Sequence, residues 1–164
     1  KRMNRKYDTA KFREVVRRLR DNIKDVAITT DIMVGFPGET EEEFNQSYKF
    51  VDEISFAHAH IFKYSRRKGT PAAQFANQVP PQIKEERSKM LIELSARKTL
   101  EYNKSFEGRI MPVLYEQEDT EGYIEGLTPN YIRVKVRGDE GLKGKIADTR
   151  LTAAVNDYML GEIC

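Results

Sequence analysis

Apolar positions in the first hundred residues follow helical and strand periods by turns. Phe12, Val15, Val16, Leu19 and Ile23 recur at spacings of three and four, one stripe of an amphipathic helix. Asp8 or Thr9 supplies its N-cap, and Arg13, Arg17, Arg18 and Arg20 lie mostly off the stripe. Ala27 to Val34 reads as a largely buried strand, broken by Gly35-Phe36-Pro37-Gly38. Thr40 with Glu43 forms a capping box, and Phe44, Tyr48, Val51 and Ile54 make the buried face of the helix that follows. A second strand is predicted at His58–Tyr64. After a basic loop, a helix from about Gln82 to Lys104 turns Ile83, Met90, Leu91 and Leu94 inward.

Beyond Phe106 the texture changes to short strands separated by Gly, Asp and Asn turns, near Ile110–Glu116, Tyr123–Leu127, Tyr131–Arg137, Gly144–Thr149 and Tyr158–Ile163. The fold class is therefore α/β over residues 1–104, followed by an all-β part over 105–164: five short antiparallel strands that fit a small barrel. Two strands joined by one helix make a right-handed βαβ unit with parallel strands. Two parallel strands alone leave open edges, so the unit reads as part of a larger sheet or barrel. The same edges predict self-association.

Composition narrows the class. Of the 164 residues 39% are hydrophobic and 33% charged, wetter than an average domain but with enough Leu, Ile, Val, Phe and Tyr for a core. No apolar run approaches the roughly 18 residues of a membrane span, and no signal peptide is visible. Cys164 is the only cysteine, which excludes an internal disulfide. A start at Lys1 rather than Met reads as a piece cut from a longer protein. Charge is unevenly placed: 21 Lys and Arg against 15 Asp and Glu through residue 105, and 7 against 11 after it. The first part is the obvious one to meet phosphate.

Four features carry candidate chemistry. The Gly35–Thr40 turn joins a strand's C-terminal end to a helix N-terminus, where backbone N–H groups could hold an anion; it is equally a plain tight turn, and it lacks the lysine of a P-loop. The loop Ser65-Arg66-Arg67-Lys68-Gly69-Thr70-Pro71 leaves the next strand on the same side, as a carboxylate or phosphate site or as a solvated charge run. His58 and His60 share a strand face, but no further ligand is suggested, so packing is favoured over metal. Along residues 131–137, Tyr131, Arg133, Lys135 and Arg137 alternate with Ile132, Val134 and Val136. Cations and an aromatic on one strand face suit RNA phosphates and a stacked base, though any exposed face needs polar residues.

These residues add up to a resemblance. Lys1-Arg2-Met3-Asn4-Arg5, the string Thr30-Asp31-Ile32-Met33-Val34-Gly35-Phe36-Pro37-Gly38-Glu39-Thr40, and Tyr64-Ser65-Arg66-Arg67-Lys68-Gly69-Thr70-Pro71-Ala72-Ala73 closely resemble the C-terminal part of the radical S-adenosylmethionine methylthiotransferases. The last 60 residues, with Gly108, Gly122, Gly126, Gly144 and Leu160-Gly161-Glu162, resemble their RNA-binding TRAM domain. The resemblance implies the end of a partial TIM-type (βα) barrel followed by a TRAM barrel of OB-like kind. It implies an enzyme that uses S-adenosylmethionine and two [4Fe-4S] clusters to place a methylthio group on a tRNA adenosine beside the anticodon, in the cytoplasm. Asn130-Tyr131-Ile132-Arg133-Val134 looks most like the branch acting on N6-threonylcarbamoyladenosine, with the isopentenyladenosine branch as the alternative. By position, Gly35, Phe36, Pro37, Gly38, Glu39, Ser65 and Arg67 should face S-adenosylmethionine, and Tyr131, Arg133, Lys135 and Arg137 the tRNA anticodon arm. Asp31 is directed either to the barrel interior or to a helix. Neither family cysteine set is present, so the chain alone is expected to bind no cluster, to hold no metal or catalytic residue, and to be inactive. The competing readings are a stand-alone RNA-binding protein with a degenerate α/β half, and a phosphate-binding hydrolase.

Overall fold

A computed structural model describes the chain apart from residues 1, 2, 4, 119–121 and 139. The expected features at Lys1, Arg2 and Asn4 lie outside the described residues.

Helix α1 (Thr9–Asn22) starts where Asp8 accepts a hydrogen bond from the Lys11 amide at 2.8 Å. Only Val16 of its stripe is fully buried; Val15 and Ile23 remain exposed. Strand β1 (Thr29–Val34) begins two residues later than the pattern predicts. It is also not largely buried. Its burial alternates, because helices cover only the face carrying Thr30, Ile32 and Val34. Helix α2 (Glu41–Ile54) opens on the predicted capping box, with both reciprocal bonds formed at 3.1 Å. Strand β2 (His58–Lys63) pairs in parallel with β1, Thr29 opposite His58 and Val34 opposite Lys63. The Tyr64 amide adds one more bond to Val34 O, at 2.8 Å. Among the described residues β1 and β2 form a sheet of two, so each has one open edge.

Helix α3 (Pro81–Lys104) differs most from its pattern. Ile83 and Met90, expected inside, are exposed; the buried face carries Arg87, Ser88, Leu91, Leu94, Ser95, Thr99 and Asn103. Small polar side chains let α3 lie against the polar end of β2. Ser95 Oγ accepts from the Ala59 amide at 3.0 Å and donates to Ala59 O at 3.2 Å, and Thr99 Oγ1 donates to Ala57 O at 2.8 Å. Leu91 and Leu94 complete a core with Val16, Val34, Phe44, Val51, Ile54 and Phe56.

The rest of the chain is a closed barrel of β3 (Ile110–Glu118), β4 (Tyr123–Leu127), β5 (Arg133–Arg137), β6 (Ile146–Val155) and β7 (Tyr158–Ile163), in the ring order β3-β4-β5-β7-β6. The five strands are not all antiparallel: β5 pairs with β7 in parallel. A closed ring of five strands must contain a parallel pair, because alternating directions cannot close on an odd number. Val113, Tyr115, Val134, Leu151 and Met159 fill the interior, and the Tyr115 hydroxyl meets Thr149 Oγ1 at 2.7 Å. Gly126 is required where β4 crosses β3, since a Cβ there would sit 2.4 Å from Leu114 O. No helix among the described residues is long and apolar enough to cross a membrane.

Candidate ligand groove and nucleic-acid surface

Both predicted loops emerge at the C-terminal end of the parallel pair. Against the second loop and the last residues of the strands lies a groove of about 410 Å³, lined by Met33, Phe62, Tyr64, Ser65, Arg67 and Thr70, among others. That volume is within the roughly 300–1,000 Å³ of small-molecule sites. Arg67 is exposed, and its guanidinium has no hydrogen-bond or ion-pair partner among the described residues. Arg66 differs: its Nε donates to Ala73 O at 2.7 Å, which folds it back onto the loop. Tyr64 is 7% exposed, and its hydroxyl has no partner among the described residues.

The Gly35–Glu39 segment does not line this groove. The amides of Gly35, Gly38 and Glu39 are already engaged within the protein. The Gly35 amide donates to Glu39 Oε1 at 3.1 Å, the Gly38 amide to Asn77 O at 2.8 Å and the Glu39 amide to Phe36 O at 2.9 Å. The Glu39 carboxylate also meets the Arg87 guanidinium at 2.6 Å, with the two side chains 17% and 9% exposed. Pro37 is fully buried, and Phe36 packs edge-on against Tyr64 and Phe75 at 5.5 and 6.1 Å between ring centres. Gly35 needs its φ of +72°, and a Cβ there would fall 2.4 Å from Lys84 Cγ. Lys84 is itself held, its Nζ donating to Tyr64 O at 3.0 Å. Arg87, Lys84 and Asn77 are the residues that the sequence pattern did not single out; unusual charge at inward positions of α3 could have signalled Arg87 and Lys84, and nothing signalled Asn77.

The exposed face of the sheet carries Thr29, Asp31 and Met33 beside His58, His60 and Phe62, in register. Asp31 therefore points away from the helices. The two imidazoles touch edge to face at 4.6 Å, and no group of three or more His, Cys, Asp and Glu among the described residues could hold a metal ion. Burial and the neighbouring His60 push the His58 pKa down.

On the barrel, Ile132, Val134 and Val136 are buried and Arg133, Lys135 and Arg137 lie on the outer face, as the alternation implies. Tyr131 is not on that strand. It sits in the preceding turn at φ +63°, the residue 80% exposed. The cations are not bare. Lys135 Nζ contacts Glu125 at 2.7 Å and lies over the Tyr158 ring, Arg133 reaches Asp157 at 3.4 Å, and Arg137 stacks on Tyr123 at 5.4 Å. Lys135 is the most enclosed of the three, its side chain 19% exposed.

Against known sequences, residues 1–51 match the radical SAM superfamily. The chain is 37% identical over 99% of its length to the threonylcarbamoyladenosine tRNA methylthiotransferase of Bacillus subtilis. It is 38% and 41% identical, again over 99% of its length, to the tRNA-2-methylthio-N(6)-dimethylallyladenosine synthases of Clostridium perfringens and Thermoanaerobacter pseudethanolicus. The chain is similar to the radical SAM tRNA methylthiotransferases. It spans 35–37% of the length of these three methylthiotransferases.

Proposed function

We propose that the chain forms the S-adenosylmethionine-side groove and the tRNA-holding barrel of a radical SAM tRNA methylthiotransferase working in the cytoplasm. The observation that carries this reading is the groove at the C-terminal end of the parallel strands, where ligands of α/β folds sit, with Arg67 unpaired and Tyr64 OH unsatisfied. The residues fit the cofactor's chemistry: Arg67 and Ser65 match an amino-acid carboxylate, and Met33 and Phe62 offer apolar surface to a nucleoside. Gly35–Glu39 would serve as a braced loop, with Glu39 acting through Arg87 and the Gly35 amide. When bound, S-adenosylmethionine supplies the methyl group and, with an electron from a cluster, the reactive carbon of the chemistry. The clusters do not fit this chain, whose one cysteine is Cys164 where a cluster takes several thiolates; their ligands would belong to the remainder of a longer protein. Strands of that remainder, or of a second copy, would cover the open edges of β1 and β2.

Residues 105–164 would act as a TRAM domain, with the target an N6-modified adenosine beside the anticodon. Threonylcarbamoyladenosine is the first choice, from the resemblance around Asn130–Val134. The dimethylallyladenosine synthases, at equal or higher identity, support isopentenyladenosine as the alternative.

The test is fluorescence anisotropy with a tRNA anticodon arm at two salt concentrations. Replacing Arg133, Lys135 and Arg137 with Ala should weaken binding and flatten the log–log salt slope by about 0.7–0.9 for each phosphate that is no longer neutralised. Lys135, already held by Glu125, should contribute least. An unchanged affinity and slope would remove the RNA surface from β5.

A further inference from the structure

The two parts meet at one concentrated knot of hydrogen bonds. Asp25, between α1 and β1, takes a left-handed φ of +58° and turns its carbonyl toward the barrel. That carbonyl accepts from Tyr102 OH at 3.0 Å and from Asn130 Nδ2 at 3.1 Å, and Asn130 Nδ2 also reaches Tyr102 OH at 2.9 Å. The Asp25 carboxylate is gripped by both terminal nitrogens of Arg109, whose guanidinium lies 4.6 Å over the Phe106 ring. Three segments far apart in sequence are thus tied at one residue.

Asn130 belongs to the turn that presents Tyr131. Thr128 Oγ1 meets Asn130 Oδ1 at 2.6 Å and accepts from the Ile132 amide at 2.9 Å, while the Tyr131 amide donates to Thr128 O at 2.9 Å. The turn holds a bulky residue at positive φ, a conformation that costs energy unless its surroundings enforce it. Asn130, whose Oδ1 accepts from the Thr128 hydroxyl that closes this turn, is the same side chain that binds Asp25.

We propose that Asn130 is a positioning residue: by clasping Asp25 O it fixes the barrel's Tyr131–Arg137 surface at a set orientation to the groove at Ser65 and Arg67, so that RNA caught on the barrel is presented to the site. The inference rests on the proposed function for its purpose, but the clasp itself is tested separately. Asn130→Asp replaces the Nδ2 donor by an acceptor facing a carbonyl at nearly unchanged volume. Tyr102→Phe removes the second donor. Residual dipolar couplings of the whole 164-residue chain report the relative orientation of the two parts. The native chain should fit one alignment tensor across both parts, and each variant should need two. Tyr102→Phe leaves both the cations and the Tyr131 turn in place, so its anticodon-arm affinity should stay within about twofold of native. In an enzyme of the relatives' full length, Tyr102→Phe should lower kcat while leaving the KM for tRNA in place. Variants that keep a single tensor and lose only thermal stability would overturn the proposal, as would two tensors in the native chain or a raised KM at native kcat. Absence of RNA binding by the native chain would refute the function of the barrel and leave the tensor result to judge the clasp.

Discussion

Glu39 offers the most direct measurement of what the Gly35–Glu39 loop is for. Its carboxylate bonds the Gly35 amide and the Arg87 guanidinium, and the Arg87 and Glu39 side chains are 9% and 17% exposed. Glu39→Ala leaves a buried cation without its counter-charge, a change that costs about 3–5 kcal/mol in comparable sites. Arg87 keeps one bond, to Glu39 O at 3.2 Å, and its position over the Phe44 ring at 5.3 Å, which places the expected cost near the lower end, about 3 kcal/mol. For a chain of this size that is a fall in Tm of roughly 6–12 °C. Urea unfolding followed by circular dichroism gives the same quantity as a shift of midpoint at constant slope. The cycle with Arg87→Met separates charge removal from packing: Glu39→Met and Arg87→Met together should recover much of the stability, with a coupling of about 1–3 kcal/mol. If Glu39→Ala costs less than about 0.5 kcal/mol, or the two changes simply add, the carboxylate is not the loop's brace and is free to meet a ligand.

Two further outcomes are expected. Gly35→Ala should destabilise by about 1–2 kcal/mol in the same assay, from its left-handed φ and the tethered Lys84 stem against the new Cβ; a neutral result would mean the turn relaxes. The hydrogen bonds from Arg109 hold the Asp25 carboxyl below its ordinary pKa, so its contribution is present above the unfolded value near 4 and is lost as pH falls through the folded one. Stability profiles of native chain and Asp25→Asn should therefore converge in acid, and a constant gap down to about pH 2 would contradict the ion pair; the pair is partly exposed, so the gap should be small and salt-sensitive.

Local rules made the outline readable. The Asp8 cap, the Thr40–Glu43 box and the two-residue alternation of Ile132, Val134 and Val136 depend on neighbours in sequence, and each appears with its predicted bonds or burial. What the sequence hid was set by distant partners. The inner face of α3 is polar because β2 offers it carbonyls and amides to bond, so hydrophobic periodicity pointed to Ile83 and Met90 instead. The glycine turn looked like an anion site because its donors are obvious in sequence, while the groups that occupy them, Asn77 O and the Glu39 carboxylate, are fixed only by the fold. Composition does not tell Arg67 from Arg66, and only the resemblance preferred Arg67; in the fold, Arg66 is tied back to Ala73 O. The cations of β5 appeared unencumbered, and cross-strand partners such as Glu125 temper them.

Helix α3 has a consequence for how such proteins can be cut and recombined. Its 24 residues run about 36 Å. Leu91 and Leu94 are buried in the α/β core, whereas Tyr102 and the following Phe106 pack into the barrel's. The seam between modules is therefore staggered relative to the chain, and a transplant that starts at residue 105 leaves behind the aromatic wall that Phe106 leans on, Tyr102 lying 5.0 Å from it. A barrel moved between relatives should take the last turn of α3 with it, and the recipient must offer a carbonyl where Asp25 stands. Exchange of such barrels is in this sense a matter of matching hinges as well as matching surfaces.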